Sequence, residues 1–324
     1  MHDYRPTRRP RFRRTLVAGL MTISAVVGAT GAATAAPPYE VEYGLGAGLA
    51  HLLDSTSSPP GANDWSCRPS AAHPEPVVLL HGLTAPMAAN WPTISALLAN
   101  NGYCVFALNY GMQPELPAPF DTIPGLGDMV ESATEELAPF VDRVLAATGA
   151  ERVAFVGHSE GTVMPRWYIK NLSGASKVAR SVNLTPINNG THVNGGALLA
   201  ALLDRLGLWD DAQERLIDFG YGAGVQLTAG SDYLKEVNSG VAYDPGIQYT
   251  FIMTRYDELV VPYTSGYGPA APNVTNVVVQ DRCPLAVFEH AGAASDPVVA
   301  QLVLNALDPA NATPVNCFAH PRNG

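Results

Sequence analysis

The sequence predicts an α/β protein built on a doubly wound, mainly parallel sheet. Its short continuous runs of apolar residues are typical of strands that are buried on both faces. These runs alternate with longer segments of helical pattern, as in a parallel sheet whose crossover helices cover both faces. The chain has 324 residues, of which 47% are hydrophobic, so it is long enough to bury a large core.

Six short segments are predicted to be strands because each is largely apolar. They cover residues 77–80, 103–108, 153–156, 178–184, 247–253 and 274–279. Helices are predicted near residues 45–53 and at 91–98, 128–148, 160–172 and 297–307. The helix at 128–148 has apolar residues at close to helical spacing and is followed by Gly149, while Pro297 follows the capping Asp296.

The first 35 residues have the pattern of a secretory signal peptide. Six arginines lie within the first fourteen residues, and an uncharged, largely apolar run follows at 15–31. Ala33-Thr34-Ala35 then supplies the small-residue cleavage site, so we expect a secreted, extracellular protein of residues 36–324. Arg13-Arg14 also fits a twin-arginine signal, which leaves the export route open.

Charge and hydropathy exclude several classes of partner. The formal net charge is −10, and loss of the basic N-terminal segment would leave the protein more acidic. Such a protein is poorly suited to bind phosphate backbones or anionic membranes, so we expect no nucleic-acid partner. No later run reaches membrane-spanning length, and we expect no stable insertion into a bilayer.

The four cysteines are predicted to form two disulfides. An even number of cysteines in an exported chain favours disulfides, although four cysteines allow three connectivities. Neighbourhood along the sequence favours Cys67 with Cys104 and Cys283 with Cys317. No CxxC or HxxxH spacing supports a zinc site, and we expect no metal.

Residues 190–245 interrupt the alternation of strands and helices. They are far longer than a simple crossover between two strands and contain an amphipathic stretch at 197–208. We predict a cap or lid inserted into a single domain. Leu199 and Leu203 are candidate substrate-binding residues there, although such leucine spacing is also typical of core packing.

The strongest chemical signal is the G-x-S-x-G motif at residues 157–161. It follows a predicted buried strand and precedes a predicted helix, which is the context of a nucleophile elbow. Side chains at Gly157 or Gly161 would collide with neighbouring backbone in so sharp a turn. Ser159 is therefore the candidate nucleophile.

A serine nucleophile needs a base and a carboxylate that orients the base, and here they are expected in the order serine, acid, histidine. His290 follows the last predicted strand and precedes the closing helix, whereas His192 comes too early and His320 too late. Asp257 directly follows the strand at 247–253. Glu258 is its nearest rival, and Asp244 and Asp281 fit the strand order less well.

The oxyanion formed in acyl transfer needs two backbone N–H donors. We predict one from Glu160, directly after the nucleophile, and one from Leu83 in the loop that follows the first strand. Thr84 is the alternative to Leu83. His81 and His158 are interpreted as structural side chains that pack beside the loop and the elbow.

These segments together resemble secreted lipases and esterases of the α/β-hydrolase fold, the class 2 lipases of high-GC Gram-positive bacteria. The similarity covers roughly residues 65–317. The matching segments are PVVLLHGL, FVGHSEGTVMPRWYIK, VNLTPINNGT, AGSDYLKEVNSG, TRYDELVVP and DPVVAQLVLNALDP. The resemblance implies the same triad and oxyanion donors. This sequence departs from the family pattern at Glu160, where related enzymes often have glutamine.

The sequence thus predicts a secreted serine ester hydrolase that cleaves acylglycerol-type esters through a Ser159 acyl-enzyme, at an oil–water interface or in solution. We expect a monomer that needs no cofactor. A polyester or cutin-like hydrolase, or an acyltransferase, would use the same triad. The alternative from a different functional class is a catalytically inactive binding protein on the same scaffold. The presence of serine, acid and histidine in the expected order weighs against this alternative.

Overall fold

The computed structural model describes residues 39–52, 56–192 and 206–319, and a parallel six-stranded sheet lies at its centre. The strands are β1 (Val77–Leu80), β2 (Val105–Leu108), β3 (Val153–His158), β4 (Val178–Leu184), β5 (Gln248–Met253) and β6 (Val274–Val278). Their spatial order is β2-β1-β3-β4-β5-β6, and every neighbouring pair is parallel. The predicted fold class is therefore confirmed.

The central strands are buried on both faces, as their continuous apolar runs predicted. In β1, Val78 and Leu80 join one hydrophobic cluster, whereas Val77 and Leu79 join a second cluster. Successive side chains of a strand point to opposite faces, so each cluster fills one side of the sheet. All four side chains are completely buried.

Helices precede, separate and follow the strands in sequence. They are α1 (Gly46–Leu49), α2 (Met87–Asn90), α3 (Pro92–Asn100), α4 (Met129–Glu131), α5 (Ala138–Thr148), α6 (Met164–Asn171), α7 (Trp209–Asp218), α8 (Gly222–Gln226), α9 (Asp232–Asn238), α10 (Val279–Arg282) and α11 (Pro297–Leu307). A π-helical turn at Ser132–Leu137 joins α4 to α5, so the helical segment predicted at 128–148 is nearly unbroken. The short helices α2 and α10 were not predicted, because four residues carry no readable periodicity.

The helix predicted at 160–172 is divided in two. A tight 3-10 turn at Ser159–Thr162 follows β3, and α6 begins only at Met164. Pro165 has no N–H to donate to the carbonyl of Gly161, so a regular α-helix cannot run through the turn. No helix within the described ranges is long and apolar enough to cross a membrane.

The described parts of the segment between β4 and β5 are three helices joined by turns. These helices are α7, α8 and α9. Helix α9 is fixed to α6, since Arg166 Nη2 donates to the Val237 carbonyl at 2.8 Å and Tyr233 Oη donates to the Val163 carbonyl at 3.1 Å. The candidate substrate residues Leu199 and Leu203 lie outside the described residues, as do residues 1–38 and His320.

Two disulfides join segments that are distant in sequence. Cys67 is bonded to Cys104 at the start of β2, across 37 residues. Cys283 is bonded to Cys317, across 34 residues, and ties the segment after α11 to the end of α10. No described cysteine is free.

Removing either disulfide should destabilise the protein by a similar amount. Loops of these lengths predict a loss of about 3–4 kcal/mol in the free energy of unfolding, because the unfolded chain regains conformational entropy. We expect the double variants Cys67→Ala/Cys104→Ala and Cys283→Ala/Cys317→Ala each to lower Tm by roughly 5–10 °C in calorimetry. A double variant with the wild-type Tm would show that its disulfide does not constrain the unfolded chain.

Candidate active site

The turn after β3 holds Ser159 in a strained conformation at the carboxyl edge of the sheet. Its φ is 53°, in the left-handed region that non-glycine residues rarely adopt. A Cβ on Gly157 would lie 2.1 Å from the Gly161 carbonyl oxygen, and one on Gly161 would lie 2.1 Å from the Leu80 carbonyl oxygen. Only glycine fits at both positions, as the motif predicted. The turn therefore has the geometry of a nucleophile elbow.

Asp257 and His290 meet at the same edge of the sheet. Asp257 follows β5 and His290 follows β6 and α10, and His290 Nδ1 lies 2.9 and 3.0 Å from the two carboxylate oxygens of Asp257. Both side chains are almost fully buried. Asp257 Oδ1 also accepts the backbone N–H groups of Leu259 and Val260, at 3.1 and 2.7 Å. These bonds fix the carboxylate that orients the imidazole.

The rival carboxylates have other partners. Glu258 Oε2 accepts the backbone N–H of His290 at 3.0 Å, so it holds the histidine's backbone while Asp257 holds its ring. Asp281 pairs with Arg255, and Asp244 Oδ1 accepts the N–H of Gly246 at 2.7 Å. Among the carboxylates of the described residues that were considered for the triad, only Asp257 hydrogen-bonds to the His290 ring.

The loop after β1 lies directly against the elbow. A Cβ on Gly82 would be 3.1 Å from Ser159 Cβ, so the absence of a side chain allows this approach. The N–H of Gly82 donates to Asn90 Oδ1 at 3.0 Å, and the N–H of Thr84 donates to the Pro124 carbonyl at 3.0 Å. Thr84, the alternative oxyanion donor, thus has a partner already. Leu83 lies between these two anchored residues.

His81 is a buried, neutral side chain at the start of this loop. Tyr110 stacks on the imidazole at 4.1 Å, donates its backbone N–H to His81 Nε2 at 3.2 Å, and donates its hydroxyl to the His81 carbonyl at 2.6 Å. Burial lowers the pKa of His81 to about 4, because the charged imidazolium would lose its hydration. The structural interpretation of His81 agrees with these contacts.

His158 joins the oxyanion loop to the histidine loop. Its two ring nitrogens lie 3.0 Å from Asn90 Oδ1 and 3.1 Å from the His290 carbonyl oxygen. Burial, together with the nearby His290, lowers the pKa of His158 to about 3. Asn90, which contacts both Gly82 and His158, was not among the predicted site residues. The available signal in the sequence was a polar residue directly after the apolar run Met87-Ala88-Ala89.

The carboxyl group of Glu160 is completely buried without a hydrogen-bond partner for either oxygen among the described residues. A Cβ on Gly125 would lie 2.9 Å from Glu160 Oε2 and 3.2 Å from Leu83 Cα. Burial, reinforced by Glu136, raises the pKa of Glu160 well above its usual value. Burial in this position therefore favours the neutral, protonated form of the carboxyl.

No group of three or more His, Cys, Asp or Glu side chains is arranged to hold a metal ion within the part of the chain that the structure describes. The polar groups that the structure brings to this edge of the sheet are instead backbone N–H donors, the imidazoles of His158 and His290, and the carboxyl groups of Asp257 and Glu258. Such a set can move a proton and stabilise an oxyanion.

The chain matches a known family and resembles solved lipase structures. A family model described as lipase (class 2) matches residues 74–303. Aspergillus fumigatus lipase B aligns with a TM-score of 0.54 at 19% identity, over 80% of this chain and 57% of that lipase. The mature Bacillus licheniformis lipase BlEst2 aligns with a TM-score of 0.49 at 14% identity, over 74% of this chain and 94% of that one. This chain thus spans little more than half of the Aspergillus lipase.

The parallel sheet with an elbow after β3 defines the class as an α/β-hydrolase fold. The family model covers well over half of the sequence, and the chain belongs to the class 2 lipase family. The resemblance stated from the sequence is confirmed.

Burial of Glu160 predicts a pH-dependent loss of stability. Above the usual carboxyl pKa the unfolded chain releases this proton while the folded protein keeps it, so the free energy of unfolding falls as pH rises. Glu160→Gln removes that dependence. We expect the Tm difference, variant minus wild type, to be larger at about pH 8 than at about pH 5.

Glu135, whose side chain is exposed, supplies the matched control. Glu135→Gln should show the same Tm difference at both pH values. A pH-independent difference for Glu160→Gln as well would mean that the Glu160 carboxyl ionises normally in the folded protein.

Proposed function

We propose that the protein is a secreted serine hydrolase that cleaves acylglycerol-type esters through an acyl-enzyme on Ser159. The observation that carries this proposal is the bond between His290 Nδ1 and Asp257, on loops that follow β5 and β6 at the edge where Ser159 lies. A buried His–carboxylate pair beside an elbow serine is the arrangement that activates a hydroxyl as a nucleophile.

In this mechanism, Ser159 Oγ attacks the ester carbonyl carbon while His290 Nε2 accepts the hydroxyl proton. The tetrahedral intermediate collapses, and His290 passes that proton to the leaving alcohol. Water then attacks the acyl-enzyme by the same route and releases the acid. Asp257 accepts a hydrogen bond from Nδ1–H throughout, which keeps the correct tautomer and stabilises the imidazolium.

The backbone N–H groups of Leu83 and Glu160 are the proposed oxyanion donors. Two features support this assignment. The loop that carries Leu83 packs within van der Waals distance of Ser159, and the neighbouring N–H groups of Gly82 and Thr84 already have acceptors. Donors that are fixed before the reaction stabilise the developing negative charge without reorganisation.

Exposed apolar side chains support an ester with an apolar acyl group as the substrate. They lie on the segments that follow β4, β5 and β6, and include Leu208, Ile217, Phe219, Leu259, Val261, Leu285 and Val287. Exposed apolar side chains on these segments fit a lipid or another apolar ester better than a small polar one. We extend the proposal to the cap, in which Leu199 and Leu203 would line the acyl site.

Secretion is supported by the two disulfides, which persist in oxidising compartments, and by the signal-like first 35 residues. In this proposal the mature domain begins near residue 36 and acts as a monomer. A polyester substrate would use the same residues, so a comparison of p-nitrophenyl esters, emulsified triglyceride and a polyester film separates the substrate classes.

Replacing Ser159 by alanine should abolish ester hydrolysis, with a fall in kcat of at least about 10⁴-fold, because triad residues act as a unit. A fluorophosphonate probe should label the wild type and leave Ser159→Ala unlabelled. Ser181→Ala, which changes a buried serine within β4, should label like the wild type. Equal labelling of Ser159→Ala and wild type would refute the nucleophile, and an unlabelled wild type would favour the inactive binding protein.

The two neighbouring carboxylates should differ sharply in their effects on kcat. Asp257→Asn should lower kcat by about 10⁴-fold, since the amide favours the wrong tautomer of His290. Glu258→Gln keeps an oxygen that can accept the His290 backbone N–H, and should lower kcat by less than about tenfold. The reverse ranking would assign the triad acid to Glu258.

A further inference from the structure

We propose that Glu160 is a positioning residue of the oxyanion hole that must carry its carboxyl proton for acyl transfer, so that loss of this proton switches the enzyme off at alkaline pH. The inference rests on the proposed Ser159 mechanism. It assigns a role to the glutamate side chain, whereas the oxyanion hole uses the backbone N–H of the same residue.

The geometry places the carboxyl beneath the oxyanion loop. Glu160 Oε2 and Leu83 Cα both border the space beside Gly125, which has a φ of +75° and no side chain to separate them. The turn at Gly125 is fixed to the oxyanion loop by the Thr84 N–H, which donates to the Pro124 carbonyl at 3.0 Å. It is also fixed to the segment after β2, because the Gly125 N–H donates to the Tyr110 carbonyl at 2.7 Å. The side chain thus packs between the elbow and the loop that carry the two proposed donors.

The surroundings of the carboxyl favour its neutral form. The titratable groups that face Glu160 are the phenols of Tyr110, Tyr221 and Tyr233 and the carboxyl of Glu136. All four are neutral or negative, and no Lys or Arg of the described ranges forms an ion pair with Glu160. Neither Glu160 oxygen accepts a hydrogen bond that would stabilise a carboxylate. Each of these facts disfavours a negative charge at this position.

Ionisation would oppose the chemistry directly. In acyl transfer a negative charge develops on the substrate oxygen between the N–H groups of Leu83 and Glu160. A carboxylate on the side chain of one donor residue, packed against the loop of the other, would repel that charge across a poorly screened interior. The protonated acid has the shape of a glutamine side chain and brings no net charge. Protonation of Glu160 therefore keeps the electrostatic potential of the site favourable for the negatively charged oxyanion.

The test is the pH profile of kcat for wild type and Glu160→Gln between about pH 5 and about pH 10. The triad is the same in both proteins, so their profiles should coincide on the acid side. The wild type should lose at least about tenfold in kcat on the alkaline side, whereas Glu160→Gln should stay level there. The measured quantity is the ratio of kcat at high and neutral pH within each protein, so effects common to all pH values cancel.

Glu136→Gln is the matched control. It changes a second, half-buried carboxyl, whose Oε2 accepts the Gly111 N–H at 2.7 Å. It should keep an alkaline limb, moved to lower pH because Glu136 no longer raises the pKa of Glu160. Far-UV circular dichroism at each pH must show a folded protein. Infrared difference spectra should show a protonated-carboxyl C=O band in the wild type at neutral pH that Glu160→Gln lacks.

Three results would overturn the inference. They are an alkaline limb that persists in Glu160→Gln, an alkaline loss that coincides with unfolding, and the absence of the carboxyl band from the wild type. Fluorophosphonate labelling of Ser159 in the same preparations separates the two proposals. If Ser159 is labelled but the limb persists, only the role of Glu160 is wrong, whereas an unlabelled wild type refutes the mechanism on which it rests.

Discussion

The close approach of the turn after β3 to the end of β1 is the constraint on which the site depends. Gly161 lies so near Leu80 that a Cβ would come within 2.1 Å of its carbonyl oxygen, and Gly157 is equally tight against Gly161. This contact forces Ser159 to a φ of 53°. It also sets the serine beside the loop after β1. Because all strands are parallel, the loops after β5 and β6 reach the same edge of the sheet.

Buried polar groups then connect these loops. Asn90 Oδ1 accepts the Gly82 N–H and contacts the His158 ring, and His158 in turn contacts the His290 carbonyl. His81 and His158 are both uncharged at neutral pH, because burial lowers their pKa values. They can therefore position backbone without adding charge to the site. Burial of polar groups is costly unless they are paired, so this arrangement favours one conformation of the three loops.

Local pattern was sufficient for the strands, the elbow and the order of the candidate triad. Runs such as residues 77–80 and the G-x-S-x-G motif depend on neighbours in sequence, and the order of the loops follows from a parallel sheet. The environment of the Glu160 side chain was not predictable in the same way. It is created by Gly125 and three tyrosines that are distant in sequence, and a motif carries no information about such contacts. The role of Asn90 was missed for the same reason.

The central claim is that Ser159 carries the acyl group during turnover. The direct measurement is rapid acid quenching during hydrolysis of a p-nitrophenyl ester, followed by peptide mapping by mass spectrometry. We expect one added acyl group, on the peptide that contains Ser159, and no acyl group in Ser159→Ala. An acyl group on a different residue, or ester turnover by Ser159→Ala at the wild-type rate, would contradict it.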